Sequence, residues 1–293
     1  MTSNSSAHHK IKSIDEVITS IHEDYIQKDF PKQYNHDFEI LSTIRYDPLL
    51  SRIPPMIYDE ISSVNFFLLS EHIERLKFTL AYFHHQFKTT MDFEITESGL
   101  LEQLIRAMKY AQRPVMLPYK YRVLVDLSGN VRVEIHDTDH RDDLLAGMFP
   151  CLVDETLMGM SNVDEVWDVY IDSKQTLISP FTSFKTTKRD AYNEVRARIL
   201  PGLRPGKEEV LLYNTSNKLM EGSITNVAIK RFSDGKWITP LLSSGCLCGV
   251  TRSFLLKKDF IEEDSIDIDD LLPGMDILLF NGVMGVVRGR IIG

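Results

Sequence analysis

The stretch from 208 to 240, EEVLLYNTSNKLMEGSITNVAIKRFSDGKWITP, constrains the fold more than any other part of the chain. It holds three strand-like runs rich in Val, Ile, Leu and Tyr, separated by Asn-Thr-Ser-Asn and Ser-Asp-Gly turns. Strands this closely spaced must pair, because lone extended segments leave their backbone polar groups unsatisfied. A further strand and a Gly-rich turn close the chain in DILLFNGVMGVVRG, 276–289. A sheet is therefore expected in the second half.

The first half mixes the two periods. FEILSTIRYDP, 38–48, reads as a strand ended by an Asp-Pro turn. FFLL, 66–69, is strand-like. After Ser70, a predicted N-cap, the apolar stripe Ile73, Leu76, Leu80 and Phe83 predicts a helix. A second helix is expected within 93–113, and YKYRVLVDLSGNVRVEIHD, 119–137, predicts a hairpin. DEVWDVYIDSKQT gives another strand. Helical residues follow Lys185 up to Pro201, and Gly249 opens a helix in GVTRSFLLKK. Strands interleaved with helices in both halves imply an α+β chain of two domains. The expected division is an N-terminal extension 1–35, an N-terminal α+β domain 36–171, a linker 172–183 and a C-terminal domain 184–293. Residues 49–65 look like a loop insertion.

With 293 residues and 43% hydrophobic content, the chain can bury a core and keep a cleft between domains. Its net charge of −9 and lack of a long basic run argue against nucleic acid as a partner. The start is polar and acidic, unlike a signal or transit peptide. The longest apolar run, 277–287, falls short of the roughly 20 residues that span a bilayer. Three cysteines, Cys151, Cys246 and Cys248, suit a reducing compartment better than a disulfide framework. A cytoplasmic protein with no membrane contact is expected. Cys246-x-Cys248 reads as two small, partly buried thiols, and His84-His85 as surface histidines; no metal site is expected.

Four features carry chemistry. Lys185 stands in FTSFKTTKRDAY, Glu221 opens E-G-S-I-T-N, Gly249-Val250-Thr251-Arg252 offers a helix N-terminus with a hydroxyl, and Arg75 lies on a helix. Taken singly, each has a plain reading: a solvated lysine, a turn carboxylate, a first-turn hydroxyl, and a surface arginine paired with Glu71. Together they are the parts needed to hold a phosphorylated aldehyde. The amine condenses with the aldehyde, the acid pairs with a protonated ring nitrogen, and the helix start and the arginine take the phosphate.

These stretches, with LMEGSITNVAI, TPLLSSGCLCGVTRSFLL, LLFNGVMG, STIRYDP and HIERL, resemble the fold-type IV pyridoxal-phosphate enzymes. Within that superfamily the chain is most similar to the fungal aminodeoxychorismate lyases. The resemblance implies a two-domain α+β fold with pyridoxal 5'-phosphate in the interdomain cleft, and a homodimer. It implies conversion of 4-amino-4-deoxychorismate to 4-aminobenzoate and pyruvate, on the way to folate. Carried over by position, Lys185 holds the cofactor and acts as base, with Thr43 or its neighbour Ser42 as the assisting hydroxyl. Glu221 pairs with the ring nitrogen, and Arg75, Val250 and Thr251 bind phosphate. Asn226 is a further cofactor contact or a local turn residue. Arg45, Lys120 and Arg122 are candidates for the substrate carboxylates. Arg189 is expected to brace the pocket through a carboxylate. Gly282 stands where relatives carry a phosphate-binding hydroxyl, and Lys188 where they often carry Asn. A branched-chain or D-amino acid transaminase on the same fold is the alternative. A ligand-binding relative without catalysis is a third possibility, which the full set of residues disfavours.

Overall fold

The computed structural model describes residues 37–148 and 166–292. The extension 1–35 and Cys151 lie outside them. A three-stranded antiparallel sheet is formed by β1 (Ile40–Tyr46), β2 (Tyr119–Val125) and β3 (Val131–Asp137), in that order. Two helices, α1 (Leu69–Phe87) and α2 (Glu97–Tyr110), belong with it. The expected hairpin is present, with Tyr119 opposite Asp137 and Val125 opposite Val131. The stripe of α1 (Ile73, Leu76, Leu80, Phe83) is buried in one core with Ile40, Ile44 and Tyr121.

Three expectations for this half change. Only Phe66 of FFLL pairs, as a single bridge to Tyr46. Helix α1 starts at Leu69, after Leu68 in the left-handed region at φ 56°, and the Ser70 hydroxyl turns to Glu71 instead of capping the helix. His84 is buried and hydrogen-bonded to Thr89, so of the His84-His85 pair only His85 is exposed. Residues 49–65 do form loop structure, with short 3-10 turns.

The remaining strands form one eight-stranded sheet in the order β6-β5-β4-β11-β10-β7-β8-β9. They are β4 (Trp167–Ile171), β5 (Glu208–Tyr213), β6 (Leu219–Gly222), β7 (Asn226–Lys230), β8 (Trp237–Pro240), β9 (Glu262–Asp264), β10 (Asp276–Asn281) and β11 (Gly285–Ile291). Strand β4 precedes the expected linker, yet it pairs in parallel with β5 and β11 of this sheet. The helices are α3 (Pro180–Ser183), α4 (Asp190–Ile199) and α5 (Val250–Lys257). Strands β6 and β7 stand far apart in the order but are joined by three residues, so the sheet curls back on itself.

That three-residue break was not visible in the sequence, where 219–230 reads as one strand. Its cause is Glu209, fully buried on β5. Its carboxylate accepts the N–H groups of Ser223 (3.0 Å) and Ile224 (3.1 Å) and the hydroxyls of Ser223 (2.6 Å) and Thr225 (2.8 Å). Four donors drawn to one buried anion fold the chain into a turn instead of letting it run on as a strand.

Candidate active site

Lys185 is placed by backbone hydrogen bonds, not by a helix. Its carbonyl accepts from Leu41 N (2.9 Å), and Thr187 N donates to Glu39 O (2.9 Å). The segment is thereby stitched to the start of β1, and Lys185 comes to lie where the two sheets meet. A cavity of about 610 Å³ opens there. Lys185, Glu221, Asn226, Val250, Arg75, Thr43, Arg45, Lys120 and Arg122 all line it, although they are spread from 43 to 250. Of the expected site residues, Thr251 and the alternative hydroxyl Ser42 are not part of its lining.

The Lys185 amine has no hydrogen-bond partner among the described residues. Burial, with the charges of Arg189 and Arg75, lowers its pKa from 10.5 to about 7. Glu221, on β6, is 3% exposed. Burial raises its carboxyl to about 7, against the pull of the Tyr192 hydroxyl, the Leu247 N–H and Lys185. Tyr192 Oη donates to one carboxylate oxygen at 2.6 Å, and Asn226 Nδ2 donates to the other at 3.1 Å. Asn226 also holds the Leu247 carbonyl (2.9 Å), so its amide is committed to the frame around Glu221. A base and an acid whose pKa values are both driven toward neutrality in one cavity mark a site of proton transfer.

An anion site lies beside them. Helix α5 starts from Gly249 with no side chain capping its first turn, which leaves its N–H groups and dipole for a ligand. A side chain at 249 is sterically barred, since a Cβ would lie 1.8 Å from Asn226 Oδ1. At Gly282 a Cβ would lie 2.8 Å from the His72 ring and 2.9 Å from Val250 Cγ2. Glycine at 282 therefore lets α1 and the start of α5 converge. Arg75, one turn beyond His72, is 6% exposed. Its one hydrogen bond among the described residues is to Ser42 Oγ (3.2 Å), which also meets His72 Nδ1 at 2.7 Å. Glu71, the partner foreseen for a surface arginine, bonds Ser70 instead. Desolvation lowers Arg75 to about 10. Thr251 Oγ1 is buried without a partner among the described residues. An under-satisfied arginine, an orphaned hydroxyl and an uncapped helix start fit a phosphate group.

The wall built by β1 and β2 differs. Alternation along β1 turns Leu41, Thr43 and Arg45 toward the cavity and Ser42 away from it. Arg45 is buried and bound to Asp47 (2.7 Å), with further bonds to the Asp139 and Val283 carbonyls. Arg122 pairs with Glu134 at 2.6 Å. Lys120 makes no ion pair among the described residues. Arg189 reaches the Ser223 carbonyl (2.8 Å) and lies 4.9 Å over the Tyr192 ring, not against the carboxylate expected for it. Lys188 pairs with Asp37 at 3.1 Å. Cys246 is buried and Cys248 half-buried, as expected of small thiols.

The profile of the amino-transferase class IV family matches residues 60–292. The chain belongs to that family. The aminodeoxychorismate lyase of Saccharomyces cerevisiae is 35% identical over 292 residues, covering 89% of this chain and 74% of that protein. Among solved structures, a Mesorhizobium loti protein assigned as an amino-acid aminotransferase superposes with a TM-score of 0.63 at 22% identity, covering 87% of this chain and all of that one. The branched-chain amino acid aminotransferase of Escherichia coli gives 0.57 at 16% identity, covering 87% and 77%. The class IV fold is thus shared with transaminases, while the sequence likeness lies with a lyase.

The residues that sequence reasoning missed are Tyr192, Glu209 and His72. Tyr192 ends the quoted FTSFKTTKRDAY stretch and lies seven residues after Lys185. Its ring stands three residues before Val195 in the helical run Asp190–Ile199, an apolar spacing that could have marked it as inward-facing. Glu209 gives no such signal.

Proposed function

We propose that this class IV chain is a pyridoxal-phosphate-dependent lyase that converts 4-amino-4-deoxychorismate to 4-aminobenzoate and pyruvate. The observation that carries the proposal is the pairing, in one cavity, of the Lys185 amine and the Glu221 carboxyl beside an open anion site. The identity to the yeast lyase narrows the reaction from the chemistry common to the fold. Bound pyridoxal phosphate supplies an aldehyde for Lys185 and a heterocycle that accepts the electron pair released when a C–H bond breaks.

The chain's own residues then divide the work. Arg75, Thr251 and the first N–H groups of α5 hold the phosphate. Glu221, fixed by Tyr192 and Asn226, accepts from the ring N–H. Lys185, with its pKa lowered to about 7, is in part a neutral amine at physiological pH, and it removes the proton from the substrate carbon that bears the amino group. The C–O bond to the enolpyruvyl group breaks as that electron pair joins the aromatic ring. Thr43, on the same wall, relays a proton from the Lys185 ammonium to the methylene carbon of the leaving enolpyruvate, giving pyruvate. Lys120 and Arg122 receive the substrate carboxylates. Arg45, whose guanidinium is held by Asp47, supports them at longer range.

We place the enzyme in the cytoplasm as a homodimer. The sparse cysteines support the compartment and the family likeness supports the dimer. Among the described residues no helix is long and apolar enough to cross a membrane.

Borohydride reduction of the cofactor-loaded protein, followed by peptide mapping, is expected to tag Lys185. Supplied with chorismate, glutamine and an aminodeoxychorismate synthase, the protein is expected to release 4-aminobenzoate. Keto-acid-dependent amine transfer without that product would replace the lyase by a branched-chain or D-amino acid transaminase. A colourless protein that takes up no pyridoxal phosphate would overturn both.

A further inference from the structure

Tyr192 is 6% exposed, and its hydroxyl has two acceptors but one proton. Glu221 Oε1 is 2.6 Å away and the Thr182 carbonyl 3.2 Å away. Thr182 belongs to α3, three residues before Lys185, and its carbonyl is at a helix end, where no main-chain donor of the helix reaches it. The Tyr192 ring lies under the Arg189 guanidinium, which fixes its plane. The other Glu221 oxygen is occupied by Asn226.

We propose that Tyr192 is a positioning residue whose hydroxyl proton follows the state of Glu221. It is donated to the Glu221 carboxylate, and it turns to the Thr182 carbonyl when Glu221 itself carries a proton and donates to Tyr192 Oη. In either state no polar atom of the pair is orphaned in the buried site, so Glu221 can gain or lose a proton without the penalty that an unmatched buried group brings. The charged and titratable groups that act on Glu221 are Lys185, Arg189, Arg75, Tyr192 and Cys246. Tyr192 itself stays protonated, because burial and the neighbouring carboxylate push its phenol well above the usual range. The assignment rests on the reading that Glu221 faces the cofactor ring, and it names the device that lets that carboxylate work at neutral pH.

Tyr192→Phe removes one oxygen and leaves the packing in place. In the holoenzyme, kcat is expected to fall about tenfold with KM within about twofold. The acid limb of the kcat–pH profile should move to higher pH by about one unit, because the carboxylate loses a donor that favours its charged form. The visible absorbance of the bound cofactor should titrate with the same upward displacement. In the apoprotein, the Tm gap between wild type and Tyr192→Phe should be wider at pH 8 than at pH 5, since Glu221 is ionised only at the higher pH. The pair Tyr192→Phe/Glu221→Gln should be no slower than Glu221→Gln alone. Should Tyr192→Phe fold poorly, 3-fluorotyrosine at 192 keeps donor and shape and should retain the wild-type rate. An unmoved acid limb and absorbance titration, with losses that multiply in the double variant, would overturn the proposal. If Lys185 carries the borohydride tag but no 4-aminobenzoate forms, the lyase reading falls, and the absorbance and Tm titrations still decide the role of Tyr192.

Discussion

The two walls of the cavity treat charge in opposite ways. On the β1–β2 wall, Arg45 and Arg122 are matched by Asp47 and Glu134, and Lys120 is the exception, with no ion pair among the described residues. Elsewhere around the cavity, among the described residues, the Lys185 amine lacks a hydrogen bond, Arg75 bonds a neutral hydroxyl and Thr251 Oγ1 has no partner. A matched charge fixes architecture, because its energy is spent inside the protein. An unmatched buried group is held at a cost and is available to a ligand. The comparison separates residues that shape the cavity from those that do chemistry in it, even where both line the same space.

The contrast can be broken most severely at Lys185. Lys185→Ala is expected to lower kcat by about a thousandfold or more and to abolish the borohydride tag, with the fold kept. Arg45→Ala should act on stability instead. It leaves the buried Asp47 carboxylate without its counter-ion, at a cost of roughly 3–5 kcal/mol in urea denaturation. A wild-type midpoint for that variant would remove the distinction between the walls. Lys120→Ala sharpens the comparison from the other side: KM for the dicarboxylate substrate should rise about tenfold, by roughly 1.4 kcal/mol, while Tm stays put.

Lys185→Met in the apoprotein tests the stored cost directly. Folding lowers the amine from 10.5 to about 7, so the folded state disfavours the charged form. That penalty is fully present below pH 7, shrinks as pH rises toward 10.5 and is absent above it. The variant should therefore gain several °C in Tm at pH 6.5 to 7 and lose that gain by pH 10.5. A gain that does not change with pH would show that packing, not charge, is responsible. On stability the smallest effect is expected for Arg122→Ala, whose partly exposed pair with Glu134 contributes about 1 kcal/mol or less; its cost should fall on KM instead.

The legible part of the site consists of residues whose signal is local. Lys185, Glu221 and Gly249 stand in short motifs at fixed spacing, and eight of the nine expected residues besides Lys185 join it in lining one cavity. The role of Asn226 was foreseen only in outline. Its amide acts through Glu221 and Leu247. Tyr192, His72 and Glu209 were missed because their partners are 29, 30 and 14 to 16 residues away. Glu209 looks like one more acidic residue at a strand start, yet it breaks the strand that carries Glu221.

By itself the sequence determined the alternation of strands and helices, the hairpin, the glycine that opens α5 and the inventory of amine, acid and anion-binding groups. These follow from periodicity and turn chemistry, which act over a few residues. Only the tertiary structure decided which of those groups are paired. Pairing depends on which side chains the curled sheet brings within 3 Å, and on how much water the packing removes around them. Arg45 and Arg75 are both arginines within a dozen residues of an acid in the chain. Only packing makes one a brace and leaves the other for a ligand.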